Sequence, residues 1–239
     1  MTHLPQRTLG ILGGMSWTST AEYYRQINTA YADREGGLHS APLLLHSFDF
    51  AQVVALQKAG AWDEAAELLG GAARRLQDAG AGAMLIATNT MHLVAPQIAD
   101  MLDIPLLHIV DSTGTALKAA GVERVGLIAT AFTMEQPFYK DRLQERFGIE
   151  TIVPEAAERA EVHRVIFDEL CRNDIRPEAR EGYRAVMEGL AARGAQGIIL
   201  GCTEIPLLVG PQDSPVPTFD TTALHAQAAV SWLLDGVTP

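Results

Sequence analysis

The sequence predicts an α/β fold of two pseudo-symmetric domains, each a four-stranded parallel sheet flanked by helices, with a ligand site in the interdomain cleft. Two observations carry this. Short, continuously apolar runs alternate with longer stretches of helical periodicity, which is how strands buried on both faces and their crossover helices read. The two halves also repeat. Leu9-Gly10-Ile11-Leu12 matches Val125-Gly126-Leu127-Ile128, and AMLIATNT at 83–90 matches GIILGCTE at 197–204, in the same order and at offsets that differ by two residues. A cleft between two similar domains suits a small ligand that needs groups on both of its faces.

Taken in order, strands are expected over residues 8–12, 43–48, 83–87 and 106–108 in the first half, and over 125–129, 151–153, 197–200 and 216–219 in the second. Glu22, Tyr23, Ile27 and Tyr31 recur at helical spacing between the first two strands. Further helices are expected over 64–77, 113–120, 162–170, 180–192 and 221–236. No Gly-, Ser- or Pro-rich linker separates the halves, so the join is placed near residues 112–114. This gives domains 1–112 and 113–220, with the last helix packing back on the first domain.

Composition narrows the function classes. The chain has 239 residues, a formal charge of −11, 48% hydrophobic and 20% charged residues, ordinary for a globular protein able to bury a core. No apolar run approaches the roughly 20 residues that span a bilayer, and the N-terminal apolar stretch is too short for a signal peptide. A cytoplasmic location without membrane association is expected. The acidic balance argues against nucleic acid, whose phosphates call for clustered Lys and Arg. Two cysteines exclude a disulfide scaffold. The seven histidines are scattered with no H-x-x-x-H pair, so no metal site is expected.

Ligands of open α/β sheets bind beyond the carboxyl ends of the strands, and three loops there stand out. Gly13-Gly14-Met15-Ser16 lets backbone approach a ligand and ends in a helix cap. Its helix N-terminus attracts an anion or simply closes a tight turn. Without G-x-G-x-x-G or G-x-x-x-x-G-K-[ST], nucleotide binding is disfavoured. Thr88-Asn89-Thr90-Met91-His92 packs donors and acceptors behind an apolar strand, and His92 reads as a structural histidine. Gly201-Cys202-Thr203-Glu204 places a thiol at a strand end before a helix start, where N–H dipoles favour a thiolate. Cys171, on a helical segment, reads as a core residue.

At these residues the chain resembles the aspartate/glutamate racemase superfamily. The resemblance rests on LGILGGMS at 9–16, ATNTMH at 87–92, Thr133-Met134-Glu135 and GCTEIP at 201–206. It extends through GLHS at 37–40, IFDEL at 166–170 and FDT at 219–221. Any one motif is weak; the four in order are specific.

The resemblance implies an amino-acid racemase that needs neither pyridoxal phosphate nor any other cofactor. A pair of acid/base residues, one per domain, would face the substrate α-carbon from opposite sides. In most members both are cysteines. Here Cys202 matches the second position and Thr88 stands at the first, the pair of the L-aspartate/glutamate-specific branch. A hydroxyl is a far weaker acid than a thiol, so such a pair is not expected to handle both enantiomers alike. Gln57 matches a substrate-contacting position of that branch. For such a reaction Asn89, Thr90 and Thr203 are the candidate donors to the substrate carboxylate, Met15 would wall the cleft, and Glu204 would hold the α-ammonium or tune the thiol. The resemblance also implies a small amino-acid substrate and a homodimer.

Some aspartate racemases hold the side-chain carboxylate with an Arg after the second strand and a Lys beyond the IFDEL helix. This chain reads Leu45-His46-Ser47-Phe48 and Arg172-Asn173-Asp174-Ile175 there, so no bidentate Arg clamp is expected. The Gly-Gly-Met start and Cys-Thr-Glu run depart from the Asp-Ser-Gly and Cys-Thr-His of cell-wall glutamate racemases. Alternatives are a hydantoin racemase, an arylmalonate-decarboxylase-like enzyme on the same scaffold, or a small-ligand binding protein.

Overall fold

A computed structural model of the chain describes residues 7–238. It divides into two compact units. One comprises the chain up to Ile109 together with the stretch from His225 onward, and the other runs from Val110 to Leu224.

The first unit runs β1 (Leu9–Gly13), α1 (Trp17–Glu35), β2 (Leu43–Ser47), α2 (Phe50–Ala59), α3 (Trp62–Asp78), β3 (Ala83–Ile86), a 3₁₀ turn (Thr90–Val94), α4 (Ala95–Asp100) and β4 (Leu106–Leu107). The helix α5 (Ile109–Ala119) starts at its end. The sheet is parallel throughout, in the order β2-β1-β3-β4. Alternate residues feed two cores, as a period of two requires. Leu9, Ile11, Ala83 and Leu85 pack with Tyr23, Ile27 and Tyr31 of α1. Leu12, Met84 and Ile86 pack with Leu69, Ala72 and Ala73 of α3. Burial on both faces is why these strands read as continuous apolar runs.

The second unit runs β5 (Arg124–Ala129), α6 (Ala131–Glu135), α7 (Pro137–Phe147), β6 (Glu150–Ile152), α8 (Ala156–Asp168), a 3₁₀ turn (Leu170–Arg172), α9 (Pro177–Ala192), β7 (Ile198–Gly201), α10 (Ile205–Leu208), a 3₁₀ turn (Pro211–Asp213) and β8 (Thr218–Asp220). Its sheet is again parallel, in the order β6-β5-β7-β8. The helix α11 (Thr221–Asp235) follows β8, and its part from His225 onward belongs to the first unit. There Ala226, Ala229, Val230, Trp232 and Leu233 join the core on the α1 side of the sheet.

The internal repeat is structural. Gly10 pairs with Met84 across β1 and β3, and its counterpart Gly126 pairs with Ile198 across β5 and β7. Several helices start earlier than periodicity indicates. The expected 162–170 helix begins at Ala156, because Glu155 and Glu158 form a reciprocal capping box there. The expected 113–120 helix begins at Ile109. Cys171 lies in a 3₁₀ turn rather than in the preceding helix. Among the described residues no helix is long and apolar enough to cross a membrane.

Candidate active site

Both units present a polar loop at the C-terminal end of a central strand. In the first, β1 and β3 deliver it. Gly14 has φ +83°, and a Cβ there would collide with the backbone of Phe48. Only glycine lets the chain turn so tightly beside β2. The Phe48 N–H donates to the Gly13 carbonyl at 3.0 Å. The Gly14 N–H donates to Thr20 Oγ1 at 2.7 Å, and the Ser19 N–H donates to Ser16 Oγ at 3.4 Å. The turn thus engages these amides itself, which weakens the anion-binding reading of this helix start. Met15 is buried in the core beside Phe48, Val53 and Met91. Gln57 is buried on α2, with its amide donating to Met91 Sδ at 3.1 Å.

Thr88 stands one residue beyond Ala87, at the end of β3. It is half-buried, whereas Asn89 and Thr90 are buried. The loop is pinned by its backbone. The Thr88 N–H donates to the Ile86 carbonyl at 2.9 Å, and the Ser19 hydroxyl donates to the Ala87 carbonyl at 3.1 Å. His92 Nδ1 lies 2.8 Å from the Thr88 carbonyl, while the Ile109 N–H donates to His92 Nε2 at 3.2 Å.

In the second unit β7 ends at Gly201. A Cβ there would sit 2.9 Å from both Ala129 Cβ and Leu127 Cδ1, so glycine is what lets β7 approach β5 and release the chain. Cys202 follows, half-buried. Its Sγ donates to Glu204 Oε2 at 3.0 Å, and the Thr203 hydroxyl donates to the same oxygen at 2.7 Å. Glu204 is only 5% exposed, so this carboxylate has little water to screen it. Burial pushes the Cys202 thiol well up from its usual range, and the Glu204 charge and nearby Cys171 push the same way. The Glu204 backbone amide opposes them. The N–H dipoles at the loop are outweighed, and the resting group is a thiol. Burial, then the Glu204 charge, pushes Cys171 up to about 12.

The expected residues therefore fall into two sets. Thr88, Asn89 and Thr90 share one loop, which Gln57 joins through Met91. Cys202, Thr203 and Glu204 form one hydrogen-bonded cluster. Sequence reasoning missed the pinning of the Thr88 loop by Ser19 and His92, and the placement of Cys171 near Glu204. The Ser19 contact and the Cys171–Glu204 approach join residues far apart in the chain, and His92, though four residues from Thr88, carries no local signal of which atom it bonds. Among the described residues, no group of three or more His, Cys, Asp or Glu side chains is placed to hold a metal ion.

A repeated parallel α/β unit with such loops at its strand ends places the chain with the racemase-type α/β proteins. It covers 96% of its own length and all of a solved structure from Yersinia pestis assigned as an Asp/Glu racemase, at 49% identity and a TM-score of 0.91. An aspartate racemase homologue from Pyrococcus horikoshii is 29% identical over 95% of this chain and 99% of that one, with a TM-score of 0.82. The chain belongs to the Asp/Glu/hydantoin racemase family, whose model matches residues 12–229. Membership places it among the isomerases. A curated glutamate racemase from Hydrogenobaculum is 31% identical over 127 residues, 52% of this chain and 47% of that protein. The chain spans about half the length of the curated glutamate racemases it matches.

Proposed function

We propose that this chain is a cofactor-independent amino-acid racemase acting on L-aspartate and L-glutamate, with Cys202 and Thr88 as its acid/base pair. The observation that carries the reading is the Cys202 thiol hydrogen-bonded to the buried Glu204 carboxylate at the end of β7, with Thr88 at the corresponding end of β3.

Racemisation requires a proton to leave one face of the α-carbon and another to arrive on the opposite face. Cys202 is assigned the face of the L-enantiomer, following the family resemblance. The thiol proton passes to Glu204 Oε2, its hydrogen-bond partner. The thiolate so formed is a strong base, because the burial that raises the thiol pKa also raises the basicity of its anion. It takes the α-proton and becomes a thiol again. The Thr88 hydroxyl gives its proton to the carbanion, yielding the D-enantiomer; Glu204 then releases its proton to solvent and the Thr88 oxygen regains one from solvent, which restores both groups. Without a Schiff base, the carbanion depends on donors fixed in advance around the substrate carboxylate. Asn89, Thr90 and Thr203 are proposed for that role, with Met15 and Gln57 shaping the pocket behind them.

The test is incubation with L-glutamate or L-aspartate in D2O, followed by proton NMR and chiral analysis. Loss of the α-proton signal together with growth of the deuterated D-enantiomer is expected. No exchange with either substrate overturns the reading.

A further inference from the structure

His92 is 1% exposed, so it does not meet solvent or present its ring to a ligand. Both of its nitrogens are engaged by main-chain atoms. A backbone amide can only donate, so the Ile109 N–H at 3.2 Å makes Nε2 the acceptor. The ring's proton then sits on Nδ1 and is donated to the Thr88 carbonyl at 2.8 Å. The imidazole is neutral with a defined tautomer. It links the residue that ends in the candidate proton donor to the first residue of α5.

The ring is itself held. It packs edge-on against His108 with centroids 4.6 Å apart and against His225 at 5.8 Å. His225 in turn lies 2.8 Å from the Leu107 carbonyl through Nε2 and 3.0 Å from the Tyr23 hydroxyl through Nδ1. Main-chain atoms of Leu107 and Ile109, on either side of His108, are therefore tied to two buried imidazoles from different elements. Four rings in fixed contact leave His92 little freedom, so the Thr88 carbonyl is fixed relative to the start of α5.

We infer that His92 is a positioning residue for Thr88, setting the backbone from which the hydroxyl delivers its proton. The inference rests on the proposed roles of Thr88 and Cys202. Misplacing a reacting group by about 1 Å can cost on the order of 100-fold, so the effect falls on one proton transfer and not on the other. Cys202 still removes the α-proton, and the carbanion returns to the L-enantiomer more often before Thr88 traps it.

The measured quantity is the ratio of deuterium appearing in recovered L-glutamate to D-glutamate formed in D2O. His92→Gln and His92→Leu each remove the donor to Thr88 and are expected to raise that ratio by about tenfold or more. His92→Asn places an amide N–H near the Nδ1 position and is expected to restore most of the inversion. Equal loss of exchange and inversion in His92→Gln, with the ratio unchanged, overturns the inference, as does unaltered inversion in His92→Leu. Nitrogen-15 NMR of the wild-type protein provides a check that needs no variant. His92 should show a protonated Nδ1 and a bare Nε2; the opposite tautomer, or a charged ring, overturns the inference. If the wild-type protein exchanges no α-proton, the catalytic reading fails instead, and the tautomer result still stands or falls separately.

Discussion

The loops that end β3 and β7 occupy equivalent places in a repeated unit, yet they are stabilised in opposite ways. At β3 it is the main chain that is fixed, through Ser19 on the Ala87 carbonyl and His92 on the Thr88 carbonyl. At β7 the side chains are themselves bound, with the Cys202 thiol and the Thr203 hydroxyl both donating to one buried carboxylate oxygen. On the proposed function, the first loop would hold a weak acid in place and the second would accept a proton and hold it. A duplicated fold would then give two proton-transfer stations of unequal strength.

The inequality has a thermodynamic limit. L and D enantiomers have the same free energy in water, so kcat/KM for inversion must be equal in both directions. A weak acid on one face slows inversion both ways. It shows instead in how the carbanion partitions, and in the separate values of kcat and KM.

The largest expected effect comes from removing the stronger station. Cys202→Ala should cut inversion and α-proton exchange by about 10²–10⁴-fold, measured by chiral chromatography and proton NMR. Retained exchange would mean that another group is the base. Next comes the carboxylate that holds the thiol proton. Glu204→Gln removes a charge that raises the thiol pKa, so more thiolate is present at a given pH. Iodoacetamide should label Cys202 faster than in the wild-type protein at neutral pH, while inversion falls by about tenfold or more as the proton acceptor is lost. Slower labelling would contradict the assigned sign. In the wild-type protein the raised thiol pKa means that thiolate increases with pH, and labelling should still be rising past about pH 9 rather than levelling at the ordinary thiol pKa.

Replacing the weaker station sharpens the contrast. Thr88→Cys supplies a better acid at the same position and should raise inversion by a few-fold, equally from L and from D. A fall with the fold intact would show that geometry, and not acid strength, limits this side. The smallest effect separates the loop backbones. Gly201→Ala forces a methyl group against Ala129 and Leu127 and should destabilise the protein by about 1–3 kcal/mol, measured by denaturant unfolding. The corresponding first-unit residue, Ala87, already carries a Cβ in a fully buried setting.

Much of this architecture is legible from local pattern. β1, β3, β5 and β7 lie at the centre of their sheets, so their apolar runs are unbroken and easy to read. The helix α7 is harder, because in PFYKDRLQERF only Tyr139 and Leu143 are buried and five of the other nine residues are charged. The start of α8 is hidden for a similar reason, since AAERAE carries no apolar stripe and its cap is glutamate rather than serine or threonine. At the site, Cys202, Thr203 and Glu204 are neighbours in the chain, and the residue types alone allow Glu204 to act on the thiol. That it does so instead of lying open to the substrate ammonium depends on its burial. His92 and Ile109 are 17 positions apart, and their bond exists only because β4 returns beside β3.

The most direct test of the unequal pair is label partitioning in D2O, started separately from L-glutamate and from D-glutamate. From the L side, deuterium in recovered L-glutamate should exceed the D-glutamate formed, because the carbanion returns readily to the Cys202 face once the thiol proton has exchanged with solvent deuterium. From the D side, deuterium in recovered D-glutamate should fall below the L-glutamate formed. The same partition ratio from both sides would contradict the account.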